Sequence, residues 1–500
     1  MEALSRRELL RAASLGAASL AFGGASRWAS AQASLGGAAT AWAFVNLNIS
    51  PTSFEVYPGY QTTCYRYVGS FKSSPGTVEA IPGSYLGPII RFKKGQVARV
   101  TFTNTLAENT IVHWHGLHLP EYADGLPTQI VGPGATVTRT FPIVNRAGTY
   151  WYHPHPHMAT ATQVYKGLAG MVIVSDPEEQ ALALPRGQYD MPLVIQDRRF
   201  DANYQYVYNS GGGMGQLGNR ILINGWPNYT LSAATRVYRF RILNGSNSRI
   251  YKLAWNNSVP MVLIGTDGGL IPAPVTKPYI MLAPGERVEI WADFSQLAVG
   301  SNFKLQSLAF TGVGQNAGQT PAQGTLMDLM NVSIDRQETE TLTLPAVLTP
   351  IQWEDPNTAV NKLEPRHFPI SFTTEGWVLN GSAYQPNVLA SNETVKLGDL
   401  EIWEFSHILN SMTLAAHPIH VHGVQFQIIE RTIQAERASA YETVRYGYTD
   451  EGWKDTFLVM PGETVKILIR FTRYPGMFVY HCHNLEHEDM GMMRHYQIVP

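Results

Sequence analysis

Cysteine is almost absent from this chain, whose 500 residues include only Cys64 and Cys482. A disulfide-rich scaffold is therefore excluded, and stability must come from burial of a core. A surplus of positive charge is also lacking: the formal net charge is −2, and no basic stripe is present that would suit nucleic acid. No apolar run beyond the N-terminal region is long enough to span a bilayer. The abundant residues are instead Gly and Pro, which together with many aromatics favour short strands and turns.

The first 31 residues are typical of an export signal. Residues 5–11 contain the pair Arg6-Arg7, residues 12–25 form a short apolar run, and residues 29–31 read Ala-Ser-Ala. This order is that of a twin-arginine signal with its cleavage site. We therefore predict a signal peptide at 1–31, export by the twin-arginine machinery, and a periplasmic or secreted bacterial protein. A monomer is the default expectation.

Histidine is unevenly distributed along the chain. Ten of the 15 histidines lie in four short segments, namely His113 and His115; His153 and His155; His417, His420 and His422; and His481, His483 and His487. A His-x-His pair in a strand places both imidazoles on one face, which is how a sheet presents metal ligands. Neutral imidazole suits copper, zinc, iron and nickel. Eight paired histidines are too many for one ion but fit three.

The fourth segment also contains a thiol and a thioether. Cys482 stands between His481 and His483, and Met492 follows ten residues after the cysteine. A cysteine with two histidines and a distant methionine is the ligand set of a blue-copper electron-transfer site. Strand alternation points Cys482 to one face and its neighbours to the other. One short segment is thereby predicted to serve two metal centres.

An internal repeat indicates the domain organisation. A Pro-Gly turn followed by an alternating strand occurs at 133–141, 284–291 and 461–468, at domain-sized spacings. These repeats predict three related β-sandwich domains, and we place them at 40–177, 189–335 and 365–500. No histidine occurs between His157 and His367, so the middle domain cannot supply an imidazole. The imidazole cluster is therefore expected at the interface of the first and third domains.

The histidine segments resemble those of the multicopper oxidases, and of three-domain bacterial laccase-like members in particular. The matching stretches are HWHG at 113–116, WYHPH at 151–155, HPIHVHG at 417–423 and HCHNLEHEDMGMM at 481–493. The resemblance covers nearly the whole chain after the signal. It implies an all-β fold of three consecutive cupredoxin-like Greek-key β-sandwiches, and four copper ions.

The resemblance also implies which residues hold each copper. Type 1 copper would be held by His417, Cys482, His487 and Met492, and type 2 copper by His113 and His420. One type 3 copper would be held by His115, His153 and His483, and the other by His155, His422 and His481. Electrons from a substrate would enter at an exposed His487 and pass through Cys482 to the other three ions. There O₂ would be reduced to water.

Two carboxylates have positions that match proton-supplying residues of the family. Reduction of O₂ in a buried site consumes protons, so a positioned carboxylate has a clear task there. Asp124 resembles the carboxylate near type 2 copper, and Glu488 the one near the type 3 pair. The alternatives are a turn residue before Gly125 and an ordinary polar contact, respectively. Glu486 and Asp489 are expected to make ordinary polar contacts only.

The reducing substrate is the least determined part of the prediction. The leading interpretation is a laccase that oxidises phenols and aromatic amines. A cuprous oxidase for copper tolerance is the main alternative, but relatives of that kind resemble one another in a Met-rich insertion, and here only Met327 and Met330 lie in the corresponding region. A bilirubin oxidase is a third possibility. A non-enzymatic cell-division factor is disfavoured because every ligand position is filled. A copper nitrite reductase is disfavoured because it would have two repeats and would lack the adjacent His-Cys-His and the four histidine pairs.

Overall fold

The fold is described from a computed structural model, which covers residues 41–70, 77–209, 215–314, 319–409 and 414–500. The predicted signal peptide at 1–31 lies outside the described residues. So do positions 211–214 of the glycine-rich stretch at 211–215, whose role the sequence leaves open. Within these ranges, no helix has the length and apolar character needed to cross a membrane.

The first sandwich consists of two sheets formed by residues 42–175. Its first long strand shows why the chain is extended here: Ala43, Val45, Leu47 and Ile49 are buried at every second position. The strands are β1 (Trp42–Tyr57), β2 (Tyr60–Ser70), β3 (Val78–Glu79), β4 (Ile89–Lys93), β5 (Val97–Asn104), β6 (Val112–His113), β7 (Thr136–Pro142), β8 (Gly148–Pro154) and β9 (Gly170–Ser175). The sheets have the orders β2-β1-β5-β7 and β3-β4-β9-β8-β6.

The middle sandwich is formed by residues 190–336. Its strands are β10 (Asp190–Arg198), β11 (Arg220–Ile223), β12 (Trp226–Pro227), β13 (Thr230–Ala234), β14 (Val237–Asn244), β15 (Tyr251–Trp255), β16 (Met261–Thr266), β17 (Gly269–Lys277), β18 (Ile280–Leu282), β19 (Arg287–Asp293), β20 (Asn302–Ser307) and β21 (Met327–Arg336). The sheets have the orders β12-β11-β10-β14-β19-β16-β17 and β13-β21-β20-β15-β18.

The third sandwich is formed by residues 366–499. Its strands are β22 (Arg366–Thr373), β23 (Gly376–Leu379), β24 (Thr394–Lys396), β25 (Leu400–His407), β26 (His417–Val421), β27 (Phe426–Ile433), β28 (Thr456–Val459), β29 (Glu463–Arg470), β30 (Gly476–Cys482) and β31 (Met493–Val499). The sheets have the orders β23-β22-β25-β29-β27 and β24-β31-β30-β26-β28. Each sandwich encloses its own buried apolar core.

Helices are short and lie between strands. They are α1 (Glu121–Asp124), α2 (Thr160–Tyr165), α3 (Pro177–Gln180), α4 (Ala438–Tyr441) and α5 (Leu485–Asp489), with single 3₁₀ turns at Gly187–Tyr189, Pro356–Thr358, Ala435–Arg437 and Arg445–Gly447. The all-β prediction with three consecutive sandwiches is confirmed. The exact domain boundaries at 177, 189, 335 and 365 stay a prediction.

The predicted repeat corresponds to the same turn in all three sandwiches. The Pro-Gly turns precede β7, β19 and β29, and their glycines Gly134, Gly285 and Gly462 have φ angles of 75°, 86° and 76°. A left-handed φ favours glycine because it has no Cβ. The repeat therefore reflects a shared backbone requirement as well as a shared strand pattern.

Candidate metal centres

Strand pairing places Cys482 and its neighbour His481 on opposite faces of one sheet in the third sandwich. On the neighbouring strands β26 and β30, Ile419 lies opposite Cys482, and His420 lies opposite His481. Because paired residues share a face and successive residues alternate, Cys482 faces the core with Ile419 and His417. His420 and His481 face away from that core. The predicted alternation around Cys482 is thereby confirmed.

The core-facing side holds a trigonal group of one sulfur and two nitrogens. The Sγ atom of Cys482 lies 3.5 Å from Nδ1 of His417 and 3.7 Å from Nδ1 of His487. The two Nδ1 atoms are 3.3 Å apart. All three side chains are fully buried, and burial raises the pKa of the Cys482 thiol. A cation at the centre of the group would offset this by stabilising the thiolate.

Met492 is held beside this group by the backbone. Its N–H donates to the His487 carbonyl at 2.9 Å, and its carbonyl accepts from the Cys482 N–H at 3.0 Å. The Met492 side chain is buried in the same apolar cluster as Cys482. The sequence-predicted fourth ligand is therefore brought next to the other three.

The expectation that His487 is exposed is wrong. The residue has no exposed surface, because α5 folds it beneath Asn484 and against the third sandwich. The His487 Nε2 atom lies 3.3 Å from the Asn484 amide nitrogen, and the ring of Trp377 packs 5.7 Å from its own. Asn484 also lines a small cavity of about 20 Å³, together with Ala415 and Ala416. This cavity therefore borders residues that lie directly beside His487 and His417.

The opposite face of β30 contributes to a cluster of eight buried imidazoles. Four come from β6 and β8 of the first sandwich and the residues that follow them, and four from β26 and β30 of the third and the residues that follow those. The cluster comprises His113, His115, His153, His155, His420, His422, His481 and His483. Pairs from different sandwiches are stacked: the ring centroids of His113 and His422 are 3.8 Å apart, and those of His115 and His420 are 3.7 Å apart. The expected interface of first and third domains is therefore the place where the imidazoles meet.

Within the cluster, ligand atoms converge in sets of three. The Nε2 atom of His481 lies 3.1 Å from Nε2 of His422 and 3.2 Å from Nε2 of His155. Nitrogens bound about 2.0–2.1 Å from one ion at near-tetrahedral angles are separated by roughly 3.3 Å. Similar groupings join His113 with His115 and His153, and His113 with His420 and His422. The spacing therefore fits metal ions between the rings.

The ring of His483 completes the cluster beside the first sandwich. Its centroid is 5.0 Å from that of His115 and 5.2 Å from that of His153. Neither ring nitrogen of His483 has a hydrogen-bond partner among the described residues. Buried polar atoms are rarely left without a partner, so this ring is suited to a ligand.

Backbone carbonyls fix which nitrogen of an imidazole faces the cluster centre. Nδ1 of His113 lies 2.7 Å from the Asp124 carbonyl, and Nδ1 of His420 lies 2.7 Å from the Asp455 carbonyl. A carbonyl only accepts, so Nδ1 carries the proton and Nε2 keeps its lone pair. Neither of these Nε2 atoms has a partner within the described ranges. Both residues therefore present an unprotonated nitrogen inward, as metal ligands require.

Electrostatics keep the imidazoles neutral. Burial lowers the pKa of His115, His420 and His422 well below the usual value, and the neighbouring histidines lower it further. Neutral imidazole is the form that binds transition metals. Together with the ring nitrogens that lack a partner among the described residues, this shows that the cluster fits transition-metal ions.

Both carboxylates predicted from the sequence contact the cluster. Oδ2 of Asp124 lies 2.7 Å from Nδ1 of His422. The two oxygens of Glu488 lie 3.3 Å from Nδ1 of His155 and 3.1 Å from Nδ1 of His481. Burial alone would raise the pKa of Glu488, but the adjacent His155 and His481 outweigh burial and lower it to about 2.

The other two acidic residues of the segment contact different parts of the chain. Glu486 is buried and accepts from the Asn247 amide at 2.7 Å and from the Gln216 N–H at 3.0 Å. Asp489 accepts from the N–H groups of Thr160 and Ala161, both at 2.9 Å. These are the polar contacts that the sequence led us to expect for both residues.

One carboxylate at the cluster was not foreseen from the sequence. Oδ1 of Asp455 lies 3.1 Å from Nε2 of His115, while its carbonyl holds His420. Asp455 directly precedes β28 and lies far from every histidine segment in sequence. No motif marks it, and only the pairing of β28 with β26 brings it to the cluster.

Comparison with known proteins agrees with this geometry. Family models described as multicopper oxidase match residues 66–179 and 356–500. A multicopper oxidase of Staphylococcus haemolyticus is 31% identical over 82% of this chain and 81% of its own length. The chain belongs to the multicopper oxidase family. The crystal structure of the multicopper oxidase McoA from Aquifex aeolicus superposes with a TM-score of 0.79 at 32% identity, covering 92% of this chain and 98% of that one.

Proteins with different named functions are similar to this chain. A laccase of Bacillus stratosphericus is 31% identical over 83% of this chain and 90% of its own length. The cell division protein FtsP of Photorhabdus laumondii is 31% identical over 88% of both chains. Family membership implies copper and oxidoreductase chemistry, and the His clusters fit copper sites. It does not identify the reducing substrate.

Proposed function

We propose that the protein is a laccase-type oxidase that removes single electrons from phenols and aromatic amines and reduces O₂ to water. The observation that carries the proposal is the position of Cys482. Its sulfur belongs to the trigonal group on one face of β30, while its neighbours His481 and His483 belong to the imidazole cluster on the other. One tripeptide thus joins the trigonal group, which would take single electrons from the substrate, to the imidazole cluster, which would hold the other ions.

We propose four copper ions with the following ligands. Type 1 copper would be held by His417, Cys482, His487 and Met492; type 2 by His113 and His420; and the type 3 pair by His115, His153 and His483, and by His155, His422 and His481. Copper bound there would supply one-electron oxidation at the cysteine site and four-electron reduction of O₂ at the cluster. A buried methionine as the fourth residue of the cysteine site is typical of blue-copper centres.

The chain itself supplies the electron path. The bonds from Cys482 to His481 and His483 are the shortest covalent route between the two centres. Substrate electrons would arrive through the Asn484 side, where the small cavity lies next to Ala416. Because His487 is buried, we propose that electrons cross from the cavity through the residues that cover His487, without direct contact between the substrate and the imidazole.

The chain also supplies protons. Four protons accompany four electrons when O₂ becomes two waters, and the site is closed to bulk solvent. Glu488 contacts two imidazoles of the type 3 set, and Asp124 contacts His422 and lies 3.6 Å from Nδ1 of His113. We propose that both carboxylates relay protons, which is a task for positioned acid–base groups.

A cuprous oxidase is the second candidate, and bilirubin oxidation is a third. Thioethers bind Cu(I), so a cuprous oxidase would benefit from clustered accessible methionines. Met330, Met492 and Met493 are buried and Met327 is partly buried, and among the described residues Met490 is the one exposed methionine near the C-terminal ligands. This favours an organic substrate. The intact ligand set supports an enzyme over a non-enzymatic protein of cell division, the process that the name of FtsP gives.

Oxygen uptake by the copper-loaded protein tests the proposal. It is measured with a phenol, with Cu(I), and with neither. Fast uptake with the phenol alone is the expected result. Uptake mainly with Cu(I) would assign the protein to copper oxidation, and no uptake despite bound copper would support a structural role. Size-exclusion chromatography of the same sample tests the proposed monomer, and localisation of the expressed protein tests twin-arginine export.

A further inference from the structure

The middle sandwich, which has no histidine, nevertheless reaches the imidazole cluster through Arg287. This residue begins β19 and has no exposed surface. Its guanidinium donates two parallel hydrogen bonds to the Asp455 carboxylate, both 2.6 Å long. Asp455 in turn contacts His115 of the first sandwich and His420 of the third. One arginine therefore acts on ligands from both halves of the cluster.

Every donor of Arg287 is used at the junction of the three sandwiches. Nε donates to the Thr149 carbonyl of the first sandwich at 2.9 Å. The two remaining N–H groups donate to the carbonyls of Gly285 and Asp267 in the middle sandwich, at 3.1 and 3.0 Å. The fork geometry of arginine provides five donors in one plane, which a lysine cannot reproduce.

The backbone leaves no spare room around this contact. A Cβ atom on Gly116, the last residue of the HWHG motif, would lie 2.5 Å from Asp455 Oδ2 and 2.6 Å from Arg287 Nη2. The residue next to His115 must therefore be glycine for the Arg287–Asp455 pair to reach the cluster. This is an independent indication that the pair and the histidine motif are matched to each other.

His115 differs from the other imidazoles whose partners are described. His113, His153, His420 and His422 have Nδ1 held by an acceptor. In His115 the nitrogen that faces away from the cluster centre is Nε2. It lies 3.1 Å from Asp455 Oδ1 and 3.0 Å from Thr456 Oγ1. An ionised carboxylate only accepts, so it places the proton on Nε2. The inward nitrogen is then Nδ1, which lies 3.4 Å from His153 Nε2.

We infer that Arg287 is a positioning residue of the imidazole cluster. It fixes the Asp455 carboxylate, and this carboxylate makes His115 present Nδ1 to the metal. The inference rests on the proposed function, because it concerns the copper cluster assigned there. It gives the middle sandwich a direct part in metal binding, although that sandwich contributes no ligand. Outer partners of metal-ligating histidines fix ring orientation and tautomer, and their loss weakens metal binding by roughly 10- to 100-fold.

The test compares Arg287→Lys with the matched control Arg239→Lys. Both arginines are buried in the middle sandwich and bind carboxylates, but Arg239 pairs with Glu179 and Glu289. Copper content, blue absorption and the rate of copper loss to a chelator are measured for each. Arg287→Lys is expected to stay blue and to lose cluster copper at least about tenfold faster than wild type. Arg239→Lys should release copper at the wild-type rate.

A second variant covers the case in which Arg287→Lys does not fold. Arg287→Gln combined with Asp455→Asn removes both charges, so no buried charge is left without a partner. The amide can donate to His115 as well as accept, so the tautomer is no longer dictated and fast copper loss is expected again. Wild-type copper content and release rate in either folded variant would overturn the inference. A wild-type protein that takes up only the copper of the cysteine site would instead overturn the proposed function.

Discussion

The Oδ2 atom of Asp124 lies 2.7 Å from the Nδ1 atom of His422, and both side chains are fully buried. Asp124 ends α1 in the first sandwich, whereas His422 follows β26 in the third. The carboxylate accepts a hydrogen bond from the Nδ1–H group, so Nε2 is unprotonated and faces His481. A single contact thus orients a metal ligand, joins two sandwiches and places an acid–base group beside the cluster.

Replacement of Asp124 by Asn should slow turnover per bound copper. The amide is nearly isosteric but cannot take up a proton, and general acid–base groups contribute roughly 100-fold or more. We expect kcat for oxygen uptake, normalised to the copper content of each preparation, to fall by about that factor while the blue colour persists. Glu121→Gln is the matched control, since this carboxylate also lies on α1 but accepts from the Met477 N–H. Equal kcat values for both variants would contradict a proton-relay role.

Replacement of Cys482 by Ser should abolish blue colour and phenol oxidation. The thiolate is the defining ligand of a blue-copper site, and a hydroxyl does not substitute for it. Absorption spectra and oxygen uptake measure the effect. Cys64→Ala serves as control because Cys64 is buried in a different sandwich, where burial raises the pKa of its thiol to about 12. A Cys482→Ser protein that remains blue would refute the ligand assignment.

Gly285→Ala should disturb copper binding more than the same change at Gly134. Both glycines occupy the equivalent Pro-Gly turn with positive φ, so both substitutions carry a similar backbone strain of about 1–2 kcal/mol. A Cβ on Gly285 would lie 3.0 Å from the His483 ring and 3.2 Å from the His115 ring, whereas a Cβ on Gly134 meets nothing within 4 Å. Copper content and thermal midpoint separate the effects. Equal copper content in the two variants would show that the added Cβ at Gly285 does not displace the His483 and His115 rings.

Acid should lower the stability of the middle sandwich, because the buried carboxylate of Glu289 pairs with Arg239 and Arg241 of the same sandwich. Burial raises the pKa of this carboxyl, but Arg239 and Arg241 outweigh burial and hold it below its usual value. The folded-state pKa is thus below that of the unfolded chain, about 4.3. The stabilisation is complete above that pH and is lost as pH falls through the folded-state pKa.

Glu289→Gln tests this linkage. Loss of the charge leaves two buried arginines short of a partner, which costs about 3 kcal/mol or more near neutral pH. The difference in thermal midpoint between wild type and variant should therefore be large at pH 7 and shrink below about pH 4. Glu404→Gln, at a partly exposed ion pair with Lys466, should change stability by less than about 1 kcal/mol. A difference for Glu289→Gln that stays constant across this range would contradict the linkage.

Much of the site could be predicted because its information is local in sequence. The period of two around Cys482 decides which face each neighbour takes, and strand pairing bears this out. The Pro-Gly turns could be recognised three times because the same φ angle demands glycine each time. The cluster histidines come in pairs because the first member of each pair lies at or near the end of a strand and the second follows shortly after that strand.

The remainder could not be predicted because it depends on docking between sandwiches. Arg287 and Asp455 are 168 residues apart, and no sequence motif contains both of them. An exposed His487 is an expectation that the family resemblance implies. Its burial depends on Trp377, from β23, and on the fold of α5.

The division of eight imidazoles between the first and third sandwiches has a consequence for biosynthesis. A nascent chain that has completed its first two sandwiches holds four of these histidines, among them the grouping of His113, His115 and His153, but no part of the trigonal group. The last ligands, from His481 onward, become available only when β30 and α5 are in place. A chain truncated before β30 therefore lacks the cysteine sulfur and every grouping that contains His481, and it cannot pass electrons from one metal centre to the other.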